Sequence, residues 1–123
     1  MALTVVEVHR RTEDKQLNDE WILVENTGDA PQSTRGCRVL HYKPKAKKGT
    51  EAAKLDPGFT VAPGAKLRVV CGNPGTKAHG QAPEDEGVEN YYLFMKAPLL
   101  KGKAGSVKLV KGQFVVMEAV YGE

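Results

Sequence analysis

Three sets of residues in this chain have the chemistry to form a site. The first flanks an apolar run in LNDEWILVENTGDAP, where Asp19, Glu20, Glu25, Asn26 and Asp29 are groups that bind metals or exchange protons. The second is Cys71 with His79 across the stretch GNPGTKAHG, in which an imidazole would activate a thiolate nucleophile. The third is HYKPKAKKGTEAAK, whose Lys43, Lys45, Lys47, Lys48 and Lys54 are groups that neutralise phosphates or other anions.

Spacing decides among the readings of the first set. Side chains alternate along a strand, so Ile22 and Val24 share one face while Trp21, Leu23 and Glu25 share the other. Asp19 and Glu20 then precede the strand, and Asn26 and Asp29 fall in the turn after it, where such side chains bond nearby backbone amides. Glu25 lies roughly 17 Å from Glu20 at strand rise, too far to share a proton or a metal. The acids read as the solvated ends of a strand. With Ile22 and Val24 facing inward, Trp21 and Leu23 fall on an outer face, as a candidate protein-contact patch set against ordinary core or edge packing.

The second set lacks the rest of a catalytic constellation. Cys71 ends the apolar run KLRVVC, and no oxyanion-forming signature follows it. A small enzyme with Cys71 as nucleophile and His79 as base is the runner-up, and no catalytic residue is assigned. Neither Cys37 nor Cys71 has a Cys or His partner at zinc spacing, and His9, His41 and His79 are scattered, so no metal and no cofactor is expected. Both thiols are expected reduced and buried, facing the core on neighbouring strands close enough to bridge on oxidation. His41 alternates with Cys37 and Val39, as an inner or edge histidine does.

The third set stands out through charge. The net charge is +3, yet residues 35–54 hold seven bases against the single acid Glu51, while Glu84, Asp85, Glu86 and Glu89 form an acidic stretch without a base. That stretch lacks the acid ladder of a calcium loop and reads as a solvated loop. No aromatic ring interleaves with the lysines after Tyr42, so base stacking and sequence readout are not indicated. What remains is a solubilising loop or a charge-driven contact with nucleic acid. The acidic stretch would either cover the lysines within one molecule or draw two copies together, giving self-association.

These residues must be positioned by strands. Short runs rich in Val, Leu, Tyr and Phe, punctuated by Gly, Pro, Asn and Asp, predict strands over residues 4–10, 21–25, 37–42, 66–71, 91–95, 107–110 and 114–120. The one helix candidate, residues 49–55, is short and polar. VKLVKGQFVVMEAVY reads as a hairpin about Lys111-Gly112, and Pro63-Gly64 fits the middle of a type II turn. About seven or more strands in 123 residues predict a single all-β domain, an antiparallel sandwich or barrel. Residues 43–56 and 73–90 are longer than the usual connection, the first as a lysine-rich insertion and the second as an acidic loop. No apolar run approaches a membrane span, and MALTVVEVHRR lacks the charge order of a signal peptide, so a cytoplasmic setting is expected.

Taken in order, EWILVENTGDAPQSTRGCRVLHY, FTVAPGAKLRVVCG and SVKLVKGQFVVMEAVYG resemble the lamin tail domain family. The likeness covers nearly the whole chain and lies in the ordered set, since no one motif is specific. Two core positions depart: Cys37 stands where the family has Trp, and Thr34 is polar where an apolar residue is the rule. The resemblance implies an immunoglobulin-like antiparallel β-sandwich without catalytic apparatus. Alternation, together with the register that the family resemblance implies, places Val6, Val8, Ile22, Val24, Val39, Leu67, Val69, Leu109, Val115 and Met117 inside. In animals such domains form the globular tails of nuclear filament proteins, binding proteins and, as a second class, DNA. No heptad-bearing rod is present here, so the resemblance implies a standalone interaction module with an unidentified protein partner first and nucleic acid second.

Overall fold

The computed structural model describes residues 3–13 and 15–122. Alternating β-prone runs become the strands β1 (Leu3–His9), β2 (Trp21–Asn26), β3 (Gln32–Ser33), β4 (Arg38–Tyr42), β5 (Thr50–Lys54), β6 (Thr60–Val61), β7 (Lys66–Val70), β8 (Val88–Tyr92), β9 (Gly105–Lys111) and β10 (Phe114–Tyr121). Two four-stranded sheets form, in the orders β1-β2-β7-β8 and β10-β9-β4-β5, with β3-β6 as a short third pair. They pack as an all-β sandwich. Ile22, Val24, Leu67 and Val69 of the first sheet meet Val39, Val107, Leu109 and Met117 of the second in one core. Burying each such side chain contributes about 1.5–3 kcal/mol.

Three local features depart from the expected pattern, each for a physical reason. The pair β7–β8 is parallel, whereas the other ladders are antiparallel. A parallel neighbour needs a long crossover, and the connection after β7 is that crossover. It carries the acidic stretch and starts the eighth strand at Val88, earlier than residue 91. Within residues 49–55, Thr50–Lys54 form the edge strand β5 rather than a helix. Val39 faces Ala53 and Leu40 faces Glu51, so Ala52 is an extra, bulged residue, and both alanines pack against the core. That doubling hides the two-residue period.

Bulges also shift two of the expected core positions. In β1, Val5 pairs with Val24 and Glu7 with Leu23, which leaves Val6 as the extra residue, 47% exposed. Leu3, Val5 and Val8 face the core in its place. In β10, Val115 pairs with Val110 and Met117 with Leu109; Val116 is extra, and Val115 is 38% exposed. One inserted residue reverses the facing of everything on one side of it, which simple alternation cannot anticipate.

One end of the second sheet gathers two segments that are remote in sequence. Tyr42 pairs with Ser106 and Tyr121 with Gly105, so the ends of β4 and β10 meet the start of β9. The turn 43–49 and the segment 99–104 both project from that end.

Candidate functional site

The acids around β2 divide into two kinds. Asn26 bonds the turn as expected, its oxygen accepting from the Gly28 amide and its NH2 donating to the Ala30 carbonyl at 2.8 Å. It ends β2 rather than lying in the turn, however, is fully buried, and also donates to the Val61 carbonyl at 2.8 Å. Glu20 is not solvated. It is 1% exposed, and its carboxylate accepts from Arg11 Nη1 at 2.7 Å and from the backbone N–H groups of Leu99 at 2.7 Å and Leu100 at 3.0 Å. Asp19 accepts from the Thr12 amide and hydroxyl and from His9 Nε2. Burial pushes the Asp19 carboxyl up, but these hydrogen bonds and the nearby His9 charge outweigh it and hold the group below the usual aspartate range. Glu20 and Asp19 are therefore structural anions that organise neighbouring chain.

Trp21 and Leu23 do face away from the main core, but they are no open patch. At 7% and 9% exposure they form a second small core with Val70 and Ala82, packed by Val88 and Tyr92. The crossover covers them, which removes the expected contact surface. Its anchor is Arg68, 3% exposed in mid-strand, whose guanidinium lies 4.7 Å above the Trp21 ring. Arg68 donates to the Pro83 carbonyl and Asn90 Oδ1, both at 2.8 Å, and pairs with Asp85 at 2.5 Å. The acidic stretch is thus tied to the sheet at Asp85, while Glu84, Glu86 and Glu89 stay exposed. A charged residue inside KLRVVC, on the face shared with Trp21, was the available signal for this buried cation.

Cys71 and His79 do not form a nucleophile–base pair. The thiol is 1% exposed and directed to the Ala97 carbonyl at 3.5 Å, whereas His79 Nδ1 accepts from the Asn73 amide at 3.1 Å. Burial, reinforced by the Glu20 charge, pushes the Cys71 thiol up to about 12. Burial likewise raises Cys37. The two cysteines sit in opposite sheets and at opposite ends of the core, not on neighbouring strands. Cys37 precedes Arg38, at the end of β4 remote from Tyr42. The Cys71 amide donates to the Glu20 carbonyl, beside the 99–101 segment at the Tyr42 end. A five-residue strand spans about 17 Å, well beyond the roughly 7 Å between Cα atoms that a disulfide tolerates.

The lysines are where the fold assembles something new. His41, Lys43 and Lys48 from β4 and its turn face Lys101, Gly102 and Lys103 across a cleft of about 690 Å³. Lys45 lines an adjoining cleft of about 290 Å³ with Tyr42, Lys108 and Glu118, and Lys47 is exposed on the same turn. Lys54 is separated from them. It lies at the far end of β5, about 13 Å of strand from Thr50, beside a hollow lined by Phe59, Tyr91 and Phe94. Sequence reading missed Lys101 and Lys103, because only the β4–β9 register brings residues 101–104 to the 43–49 turn.

Contacts support both walls. Tyr42 supports the turn: Lys108 Nζ lies 4.7 Å from its ring centroid, and a Cβ added at Gly49 would come within 2.6 Å of the ring. Opposite, Glu20 holds the amides of Leu99 and Leu100, Tyr121 Oη donates to the Lys101 carbonyl at 2.5 Å, and Arg10 donates to the carbonyls of Gly102 and Lys103. With its backbone committed inward, this segment leaves Lys101 and Lys103 exposed. At the floor, His41 Nε2 lies 2.6 Å from Tyr121 Oη. Burial, then the charges of Lys101 and Lys43, hold the His41 pKa below the ordinary histidine range. The arrangement is a cationic cleft over a histidine whose neutral form is favoured, suited to binding an anion. Among the described residues no three His, Cys, Asp or Glu side chains are grouped to hold a metal, and no helix is long and apolar enough to cross a membrane. No family model matches the chain, and no curated protein matches it either.

Proposed function

We propose that the chain is a non-catalytic interaction module of lamin-tail type that docks an acidic segment of a protein partner in the lysine-lined cleft. The observation that carries this reading is the convergence of Lys43 and Lys48 with Lys101 and Lys103 from a remote segment. The lamin-tail assignment draws support from where its three stretches fall: on β2 to β4, on β6–β7 and on the β9–β10 hairpin of a sandwich. A protein segment is favoured because the cleft is lined also by Pro44, Ala46 and Ala104, apolar contacts that suit a peptide chain, and by no aromatic ring that would stack an unpaired base. Two free buried thiols suit a reducing cytoplasmic setting.

Nucleic acid is the second reading, favoured by Lys45 and Lys47, which continue the positive surface beyond the cleft. The exposed Glu84, Glu86 and Glu89 offer the cleft of another copy an acidic surface, so self-association at low salt belongs to the same reading.

Anisotropy titrations with a labelled hexa-aspartate peptide and with a short DNA duplex test these readings. Replacing Lys43, Lys48, Lys101 and Lys103 together with Gln is expected to weaken peptide binding by about tenfold or more, at about 0.2–1 kcal/mol per exposed pair. Equal binding by parent and variant refutes the cleft. Tighter binding to DNA, with a log–log salt slope of roughly −3 to −4.5 that Lys45→Gln/Lys47→Gln/Lys48→Gln flattens by up to about three units, selects the second reading.

A further inference from the structure

We propose that the cleft takes up one proton with its carboxylate-bearing peptide, placed on Nδ1 of His41, so that docking tightens as pH falls. This deepens the reading of the cleft as an acidic-peptide site and rests on it.

A single hydroxyl fixes the tautomer of His41. Tyr121 Oη has one hydrogen, and at 2.5 Å from the Lys101 carbonyl it is donated there. The same oxygen lies 2.6 Å from His41 Nε2 and can only accept, so Nε2 carries a hydrogen in every protonation state of the ring. In neutral His41 the other nitrogen, Nδ1, is therefore a bare lone pair.

That nitrogen makes no hydrogen bond within the described residues, and it is not sealed away. The buried polar side-chain atoms without a partner are Asn18 Oδ1, Trp21 Nε1 and Arg68 Nε. His41 lines the cleft and keeps 8% of its surface exposed, and its Nδ1 is not among those sealed atoms. A carboxylate oxygen arriving at the floor meets a lone pair if the ring is neutral and a charged N–H donor if it is protonated. Only the second is a bond.

The surrounding charges set the proton's preference. Burial, then Lys101 on one wall and Lys43 on the turn, disfavour a charge on His41 while the cleft is empty, and Lys48 and Lys103 line the same cleft. Behind Tyr121 lie Arg10, 5.2 Å from its ring, and Glu20; Glu118 lies in the adjoining cleft. Among these groups the carboxylates stand behind or beside Tyr121, not among the lysines of the cleft. A docked carboxylate offsets the lysines and supplies a direct acceptor, and both effects raise the His41 pKa. By linkage, whatever raises that pKa on binding makes binding stronger at lower pH.

Calorimetric titration of the whole chain with capped hexa-aspartate tests this, because its carboxylates stay ionised near neutrality. The heat measured in two buffers of different ionisation enthalpy gives the protons taken up. About 0.3–1 proton is expected at about pH 6.5, with affinity about tenfold higher near pH 6 than near pH 8. His41→Gln is expected to abolish both the uptake and the pH dependence. The NMR titration of the His41 ring in the parent protein gives the same answer without a substitution: its pKa must rise when peptide saturates the cleft. Binding without proton uptake, uptake that persists in His41→Gln, or an unmoved His41 pKa overturns the inference and leaves the cleft reading standing. Absence of peptide binding at every pH overturns both.

Discussion

Glu20→Gln keeps the shape of the buried side chain and removes its charge, which makes it a sharp probe of how the cleft wall is held. The carboxylate receives three donors: Arg11 on one oxygen, and the Leu99 and Leu100 amides on the other. A glutamine side chain has one oxygen and one NH2. Turned either way, it presents a donor to Arg11 or to the two amides. Hydrogen bonds to charged groups are worth about 1.5–3 kcal/mol, and a buried donor left without an acceptor costs about 1–3 kcal/mol. One or two such losses in a site 1% exposed predict a destabilisation of about 2–5 kcal/mol. That is a large share of the roughly 5–15 kcal/mol that holds a domain together. Urea melts with linear extrapolation measure it. A second readout separates loosening of the wall from general weakening. The Ala97 carbonyl faces the Cys71 thiol, so thiol labelling under native conditions should accelerate, and hexa-aspartate affinity should fall although Glu20 does not line the cleft. A loss below about 1 kcal/mol with unchanged labelling would show that Glu20 does not organise this segment.

Three other outcomes are expected from the geometry. Cys71, pushed up from 9.0 to about 12, should react with a thiol reagent about a thousandfold more slowly than a free thiol on ionisation alone; oxidation should give no bridge to Cys37, as mass spectrometry will show. Because the fold favours the protonated thiol, Cys71 supports stability below about pH 9 and withdraws that support as pH rises through its folded value, whereas His41, favoured neutral, supports stability above about pH 6.5 and withdraws it on acidification; urea melts across pH, with and without His41→Gln and Cys71→Ala, separate the two. Ile22→Ala should cost about 2–5 kcal/mol in the same melts and the bulge-displaced Val6→Ala and Val115→Ala less than about 1 kcal/mol, an order that simple alternation would not give.

The sandwich was legible because its signals are local. Glycine and proline punctuation separates runs such as WILVEN and KLRVVC, and the strand period of two is clear in their centres. What escaped is what depends on a partner strand. Val6, Ala52 and Val116 are ordinary residues in ordinary runs, and nothing in their own neighbourhood marks them as bulged. β8 starts earlier than its own residues suggest because its pairing is parallel and its start is set by the crossover, which is held by Arg68. Arg68 itself could be noticed as a charge in an apolar strand, but its three acceptors lie between fifteen and twenty-two residues away.

The cleft shows the same division at the level of chemistry. Its lysines on the 43–49 turn stand out in the sequence as an excess of charge, yet charge excess alone does not distinguish a solubilising loop from a binding surface. In the proposed reading the difference is made by a second wall and a floor. Those come from residues that look like something else in the sequence: Tyr121 as the last residue of a hairpin, Arg10 as the polar end of a strand, and Glu20 as a solvated acid. Each is committed to the backbone of residues 99–103, and that is what keeps Lys101 and Lys103 facing Lys43 and Lys48 rather than turned to solvent at random. A flexible lysine pair loses side-chain freedom when it meets an anion, whereas lysines carried on a held backbone lose less, so in the proposed reading the hydrogen bonds of this wall favour docking. The acids of LNDEWILV, Asp19 and Glu20, are thus committed to neighbouring chain. Glu20 acts one step behind the site, as the buried anion that fixes where its cations stand.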